Sequence, residues 1–126
     1  MDIEIFKGSI DVIILCILNS QTSYGYEISK LISKQSNNTY EIGEGTLYSS
    51  LKRLESKNLI TSFWEFKDER NRKYYNITDL GKKFLGEKIL GLKNLNILLD
   101  NLMGGKSWMN LNYMLINYWK KLILTV

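Results

Sequence analysis

The side chains of this sequence that could do chemistry are concentrated in residues 45–60. Leu47, Leu51 and Leu54 are spaced by four and then three residues, which places them on one side of an α-helix. The other sides carry hydroxyl groups, a phenol and two cations, on Thr46, Tyr48, Ser49, Ser50, Lys52 and Arg53. Such groups hydrogen-bond to base edges and phosphates, and an α-helix fits the major groove of a duplex. The segment therefore predicts a helix that contacts double-stranded DNA.

A hairpin is predicted immediately after this helix. Residues 60–67 alternate as a half-exposed strand requires, and residues 72–77 form a second strand-like run. Polar residues at 68–71 separate the two runs. Cations gather here on Arg70, Arg72 and Lys73, where they could neutralise phosphates, enter the minor groove, or form no more than a solvated tip. A small helix followed by a basic hairpin is the layout of a winged helix-turn-helix.

Composition argues against most enzymes. The 126 residues include no histidine and one cysteine, so the commonest general base and the commonest metal ligand are absent. The sequence has no phosphate-binding glycine loop and no zinc-ligand spacing, and we expect no catalytic residue, metal or cofactor. Cys16 lies in an apolar run, which predicts that it is buried. A lone cysteine also fits a reducing, cytoplasmic location, and the net charge of +4 is only mildly basic.

The preceding segments supply helices to support this site. Apolar spacing predicts a first helix over about residues 9–19 and a second from Tyr26 to the polar residues 36–38, followed by a β-prone link at residues 39–42. The apolar run within the first helix contains Asp11 and is far shorter than the roughly 20 residues of a membrane span. No stable membrane insertion is therefore expected.

The expected fold is mainly α with a two-stranded β-hairpin. Its parts are a winged helix-turn-helix DNA-binding domain over residues 1–78, a dimerisation helix over residues 79–103 and a C-terminal tail over residues 104–126. Thr78 or Asp79 can cap the long helix. The tail is expected to add a helix with one apolar face. That helix could seal a dimer, lie on a membrane surface, or become ordered only against neighbouring segments.

The long helix carries an apolar stripe that a small domain can cover only in part. Within it, Leu85, Ile89, Leu92, Asn96, Leu99 and Met103 are spaced alternately by four and three residues, as in a coiled coil. The candidate dimer-interface residues are Phe84, Leu85, Ile89, Leu92, Leu95, Asn96, Leu99 and Leu102. Pairing with a second copy would bury this stripe. The alternative is that the stripe packs on the first helix of the same chain.

Four motifs, in order and with intact spacing, resemble the PadR-like family of transcriptional regulators. They are Gly8–Asp11, Tyr24–Ile28, Gly45–Tyr48 with the leucines that follow, and Arg72–Tyr75 with Thr78 and Gly81. The resemblance implies a homodimeric repressor that binds a palindromic operator. Ser49 stands where many members have proline. The candidate DNA-binding residues are Tyr24, Thr46, Tyr48, Ser49, Ser50, Lys52, Arg53, Arg70, Arg72 and Lys73.

The resemblance also implies a small-molecule effector. Compact members of the family bind flat aromatic compounds between the two long helices through a tryptophan, and here Leu92 lies at about that place. The sequence therefore allows an apolar or aromatic small-molecule effector, but its long helix lacks the tryptophan through which those family members bind their compounds. The alternative function is a winged-helix module that binds another protein and no DNA, since tyrosine-rich hairpins also suit protein partners.

Overall fold

The computed structural model describes residues 3–104, 115 and 118–123. The chain divides into two compact units, Met1–Lys88 and Ile89–Val126. The elements in chain order are α1 (Ile3–Gly8), α2 (Ile10–Ser20), β1 (Ser23–Tyr24), α3 (Gly25–Gln35), α4 (Glu44–Ser56), β2 (Ile60–Lys67), β3 (Arg70–Ile77) and α5 (Asp79–Leu102). The predicted fold class, mainly helical with a hairpin after the third predicted helix, is confirmed.

The core lies where α2, α3 and α4 meet. Ile14 and Leu15 of α2, Ile28 of α3, and Leu51 and Leu54 of α4 are all at most 1% exposed. Burying an aliphatic side chain of this size stabilises a fold by about 1.5–3 kcal/mol. These five side chains therefore fix the three helices against one another, and with them the orientation of α4.

The first helix and the link after α3 differ from the predictions. Residues 3–8 form α1, which the sequence patterns did not predict, and Phe6 at its end is 8% exposed. The link at residues 39–42 is not a strand. Tyr40 instead stacks on Phe6, with ring centroids 4.1 Å apart. The aromatic residue that made the link resemble a strand thus serves to cover the core.

The sheet has three strands rather than two, in the order β1-β3-β2. β1 is only two residues long, too short for any periodicity, and pairs Ser23 with Tyr75 and Tyr24 with Tyr74. β2 and β3 pair from Ile60 opposite Ile77 to Lys67 opposite Arg70. The turn therefore contains two residues, not the predicted four.

The two turn residues, Asp68 and Glu69, both have positive φ, at 54° and 62°. A two-residue turn with both residues in the left-handed region matches the twist of the strands. Asn-Gly or Asp-Gly is the usual sequence signal for such a turn, and Asp-Glu lacks the glycine. The sequence therefore contains no signal for a two-residue turn at this position.

Cys16 is exposed, contrary to the prediction that it is buried. The apolar residues of α2 are too many to lie on one side of the helix. The buried positions are occupied by Ile10, Ile14, Leu15 and Leu18. Cys16 lies on another side, where partial desolvation raises the pKa of its thiol.

No helix among the described residues is long and apolar enough to cross a membrane. The helix predicted in the tail lies mostly outside the described residues. Leu115 and residues 118–123 are described and are helical.

A backbone junction joins the base of the hairpin to the start of α5. The Thr78 hydroxyl donates to the Asn58 and Leu59 carbonyls at 2.8 and 3.1 Å, and accepts from the Gly81 N–H at 2.9 Å. A Cβ on Gly81 would lie 2.1 Å from the Leu59 carbonyl oxygen and 2.7 Å from the Ile77 side chain. Only glycine allows this approach, because the obstacle is backbone that is itself hydrogen-bonded.

Gly81→Ala should therefore destabilise the protein by about 2 kcal/mol or more, the cost of forcing an atom into a packed site. The matched control is Gly86→Ala, because a Cβ on Gly86 meets no atom within 4 Å. In a helix interior that change should be stabilising by about 1 kcal/mol. Chemical denaturation followed by circular dichroism measures both. Equal effects of the two substitutions would contradict the junction.

Candidate nucleic-acid interface

The buried leucines of α4 determine which of its other residues face solvent. Leu47, Leu51 and Leu54 are 2%, 1% and 0% exposed. Thr46, Ser49 and Lys52 are exposed. The three polar side chains lie within two turns of helix, so hydroxyl and cationic groups are available together on a convex surface.

Ser50 does not belong to this exposed set, contrary to the prediction that it contacts DNA. Its side chain is 3% exposed. It follows Leu47 by three residues and precedes Leu54 by four, so helical geometry places it on the leucine side. Its hydroxyl accepts a hydrogen bond from Arg53 Nη2 at 3.2 Å.

Arg53 is exposed but is held by an ion pair to α2. Its Nη2 and Nε donate to the two carboxylate oxygens of Asp11, at 2.6 and 3.2 Å. This two-pronged geometry is the favourable one for arginine and carboxylate. The hydrogen bond and the charge of Asp11 raise the pKa of Arg53 above its ordinary value. Arg53 is thereby engaged within the domain, and the residue that engages it, Asp11, was not among the predicted site residues.

Tyr48, a predicted DNA contact, is partly exposed and partly packed within the domain. It is 46% exposed, yet its phenol lies against the start of α3. A Cβ on Gly25 would be 2.6 Å from the Tyr48 hydroxyl oxygen. Tyr48 is therefore supported by the domain and still open to solvent on one side.

The predicted cations of the hairpin differ in their exposure and in their contacts. Arg70 is exposed. Arg72 is half-buried, with its guanidinium 4.7 Å from the centre of the Tyr24 ring. Lys73 Nζ lies 3.7 Å from the Glu55 carboxylate of α4 and 5.7 Å from the centre of the Tyr75 ring.

Tyr74 and Tyr75 are consecutive on β3 and therefore lie on opposite faces of the sheet. Tyr75 is buried at 4% exposure, where burial, followed by the nearby Glu55 charge, raises the pKa of its phenol. Tyr74 is half-buried and meets Tyr24 edge-on, with centroids 5.4 Å apart. Tyr24, a predicted DNA contact, is also half-buried.

Carboxylates accompany the hairpin cations. Residues 60–77 contain Lys67, Arg70, Arg72 and Lys73, together with Glu65, Asp68 and Glu69. Asp68 and Glu69 form the turn itself. Positive charge is thus found along the sides of the hairpin and negative charge at its end.

The hairpin also exposes three large aromatic side chains that were not among the predicted site residues. Phe63, Trp64 and Phe66 of β2 are 41%, 63% and 73% exposed. The sequence did contain a signal for them, since these aromatic residues lie on a strand that only a small domain could cover.

The predicted dimer stripe on α5 is largely open. Leu92, Leu95, Leu99 and Leu102 are 48%, 51%, 51% and 74% exposed. Asn96 is exposed as well, and Phe84 and Ile89 are half-buried. Leu85 is the exception, because it is 7% exposed and so is already covered within the chain. Leu85 therefore exposes little surface that a partner could bury.

An apolar cavity of about 640 Å³ lies between α1, α2 and α3. Phe6, Ile13, Ile17, Leu31 and Tyr40 contribute to its lining, and Cys16 lies at its side. The volume is within the range of small-molecule sites, which is about 300–1,000 Å³.

Comparison with known proteins gives a consistent result. Residues 14–87 match the model of the transcriptional regulator PadR-like family. Uncharacterized protein X of Lysinibacillus sphaericus is 40% identical over 103 residues, which cover 81% of this chain and 94% of that protein. A transcriptional regulator from Clostridium thermocellum superposes with a TM-score of 0.73 at 36% identity, covering 80% of this chain and 96% of that one.

A Bacillus subtilis PadR, solved in complex with operator DNA, is a more distant likeness. It superposes with a TM-score of 0.58 at 23% identity, covering 64% of this chain and 46% of that one. At this identity the likeness concerns the fold alone.

The pair Asp11–Arg53 can be tested by a double-mutant cycle with Asp11→Ala and Arg53→Ala. Their side chains are 25% and 47% exposed, so we expect a coupling free energy of about 0.5–1 kcal/mol, as for a well-oriented surface pair. Chemical denaturation of the four proteins measures it. The matched control is Glu55 with Lys73, which are 3.7 Å apart and should couple by close to zero. Coupling no greater for the first pair than for the second would contradict the anchoring of α4 by Arg53.

Proposed function

Since this chain belongs to the PadR-like family of transcriptional regulators, we propose that it is a homodimeric repressor that binds a palindromic operator in the cytoplasm. The observation that carries the proposal is the exposed side of α4, where Thr46, Ser49 and Lys52 lie opposite the buried leucines. A helix with this surface can enter the major groove, where base edges distinguish all four base pairs.

The roles of the polar residues follow from their reach and freedom. Thr46 and Ser49 have short hydroxyl side chains near the start of α4, suited to base edges. Lys52 and the Tyr48 hydroxyl can reach phosphates. Arg53 contributes mainly by holding α4 against α2, through its contacts with Asp11.

The hairpin is proposed to contact the DNA beside the helix. Glu55 of α4 accepts a hydrogen bond from Ser62 of β2 and lies 3.7 Å from Lys73 of β3, so helix and hairpin are held together. Of the three cations predicted in the hairpin, Arg70 is exposed while Arg72 and Lys73 are half-buried, and Arg70 is assigned the main phosphate contact. Arg72 and Lys73 would add to it, but each is already engaged with a tyrosine.

A homodimer is proposed because α5 leaves its apolar stripe uncovered. Contiguous exposed leucines are unfavourable in water, and a second copy offers an identical stripe to bury them. Asn96 lies among them, where a polar residue can fix the register of two helices. Two copies related by a two-fold axis would bind two half-sites related by the same symmetry.

The apolar or aromatic effector stays a prediction. The long helix offers Leu92 where a tryptophan would be expected from the resemblance. The cavity between α1, α2 and α3 has an apolar lining instead. An effector in this cavity would be recognised by contact with its apolar lining, which includes the rings of Phe6 and Tyr40.

The alternative function is a protein-interaction module, which the exposed aromatic residues of the hairpin favour. The two functions differ in their response to salt. Binding of random duplex DNA that weakens steeply as salt rises indicates the regulator. No such binding at low salt indicates the interaction module.

Arg70→Ala should weaken binding to any duplex and reduce the slope of log K against log salt by about one for each hairpin in contact. Fluorescence anisotropy with labelled duplex, over a series of salt concentrations, measures both quantities. Lys83→Ala is the matched control, since Lys83 is an exposed cation on α5 and should leave the slope unchanged. If the two variants gave the same slope as the unchanged protein, the assigned role of the hairpin would be lost.

Leu95→Asp should dissociate the dimer, because it places two carboxylates in an apolar interface where they are desolvated without partners. Sedimentation at micromolar concentration measures the change in mass. The control is Ile97→Asp, since Ile97 is exposed to a similar degree, 57% against 51%, but points to another side of the helix. A monomeric unchanged protein would refute the homodimer, and dissociation by Ile97→Asp alone would assign the interface to a different face.

A further inference from the structure

Trp64 and Phe66 form an exposed aromatic pair on one face of the hairpin. They are two residues apart on β2, so their side chains point to the same side of the sheet. Their exposure of 63% and 73% is high for aromatic groups. Large exposed apolar groups of this kind mark interaction surfaces.

The aromatic pair faces the same side as α4. Ser62, which precedes Trp64 by two residues, donates a hydrogen bond to Glu55 of α4. Lys73 pairs with Trp64 across the strands and lies 3.7 Å from the same carboxylate. Phe63 points to the opposite face, where it stacks on Tyr74 with centroids 5.7 Å apart. The aromatic pair therefore lies on the face of the hairpin that is turned towards Glu55 of α4.

The cross-strand neighbours of the aromatic pair are polar, and one of them is a cation. Phe66 pairs with Asn71, one step before the final pair of Lys67 with Arg70. Trp64 pairs with Lys73. Lys67 and Arg70 alternate with these positions and lie on the opposite face of the sheet, so Lys73 is the cation beside the two rings. A polyanion with apolar surface between its charges complements this arrangement, and a DNA duplex, with stacked bases between phosphates, has that character.

We propose that Trp64 and Phe66 act as an apolar wedge that enters the minor groove, partly unstacks a base step and bends the operator. The proposal rests on the proposed function, since it requires that α4 and the hairpin contact DNA together. Phe66 is the residue that inserts first, because it lies nearer the turn. Apolar side chains inserted between base steps bend DNA towards the major groove, by about 20–90° in known cases.

The wedge also predicts a sequence preference that involves no hydrogen bond to a base. Pyrimidine–purine steps unstack most easily. Operators should therefore carry such a step where the hairpin lies, outside the base pairs read by α4. This would be specificity through deformability of the duplex rather than through direct contact.

The experiment uses the full chain and a duplex selected by the protein from a random pool. Donor and acceptor dyes at the two ends report bending through energy transfer, and anisotropy reports binding separately. A 2-aminopurine base, moved along the duplex, becomes brighter where a step is unstacked. The unchanged protein should raise energy transfer and brighten one position in each half-site. Phe66→Ala should lose at least half of both signals and bind about tenfold more weakly.

Two further variants make the test specific to the wedge. Phe66→Leu keeps an apolar side chain and should retain most of the bending. Phe63→Ala removes an aromatic ring from the other face of the same strand and should leave bending unchanged. Thermal unfolding of each variant verifies that the hairpin is folded.

The outcomes separate this proposal from the one on which it rests. If no duplex is selected and none is bound, the proposed function fails and the wedge with it. Tight binding without a change in energy transfer overturns the wedge alone, as would be seen if the aromatic pair served a protein partner. Equal bending by Phe66→Ala and the unchanged protein, or equal losses from Phe66→Ala and Phe63→Ala, also overturns it.

Discussion

The burial of three leucines on one side of α4 is the constraint on which the rest of the site depends. With Leu47, Leu51 and Leu54 in the core, α4 has one possible rotation about its axis. That rotation carries Ser50 into the interior and leaves Thr46 and Ser49 in solvent. Each polar residue of α4 therefore owes its environment to the leucines more than to its own chemistry.

Polar contacts then connect the C-terminal part of α4 to its neighbours. Asp11 and Arg53 join it to α2, and Glu55 joins it to β2 by accepting a hydrogen bond from Ser62. At the base of the hairpin, Thr78 and Gly81 bring the first turn of α5 against the Leu59 carbonyl. Within the unit Met1–Lys88, the helix, the hairpin and the beginning of α5 are thus linked through side chains of known position. A displacement of any one of them would disturb contacts of the other two.

Much of this arrangement could be predicted from sequence, and the failures have physical causes. The leucine spacing predicted α4, and the alternation of residues 60–67 predicted β2, because both patterns extend over several residues. α1 and β1 are too short to give a periodicity. The turn at Asp68 and Glu69 lacks the glycine that usually marks positive φ.

The site was predictable to a lesser extent, because it depends on pairs of residues distant in sequence. The bond between Asp11 and Arg53 spans 42 residues, and no local pattern indicates it. Ser50 was misplaced because a small polar residue can lie at the edge of an apolar face without cost when a neighbour supplies a hydrogen bond. Cys16 was wrongly predicted to be buried because α2 has more apolar residues than can lie on its buried side.

The acidic end of the hairpin has a kinetic consequence. Asp68 and Glu69, with Glu65, offset three of the four cations of the hairpin. Beyond about 10 Å, the screening length at 0.1 M salt, such a hairpin is nearly neutral, and it gains little from the long-range attraction that speeds encounters and promotes sliding. If the chain binds DNA as proposed, long-range attraction must come from cations outside the hairpin, such as Lys52 of α4.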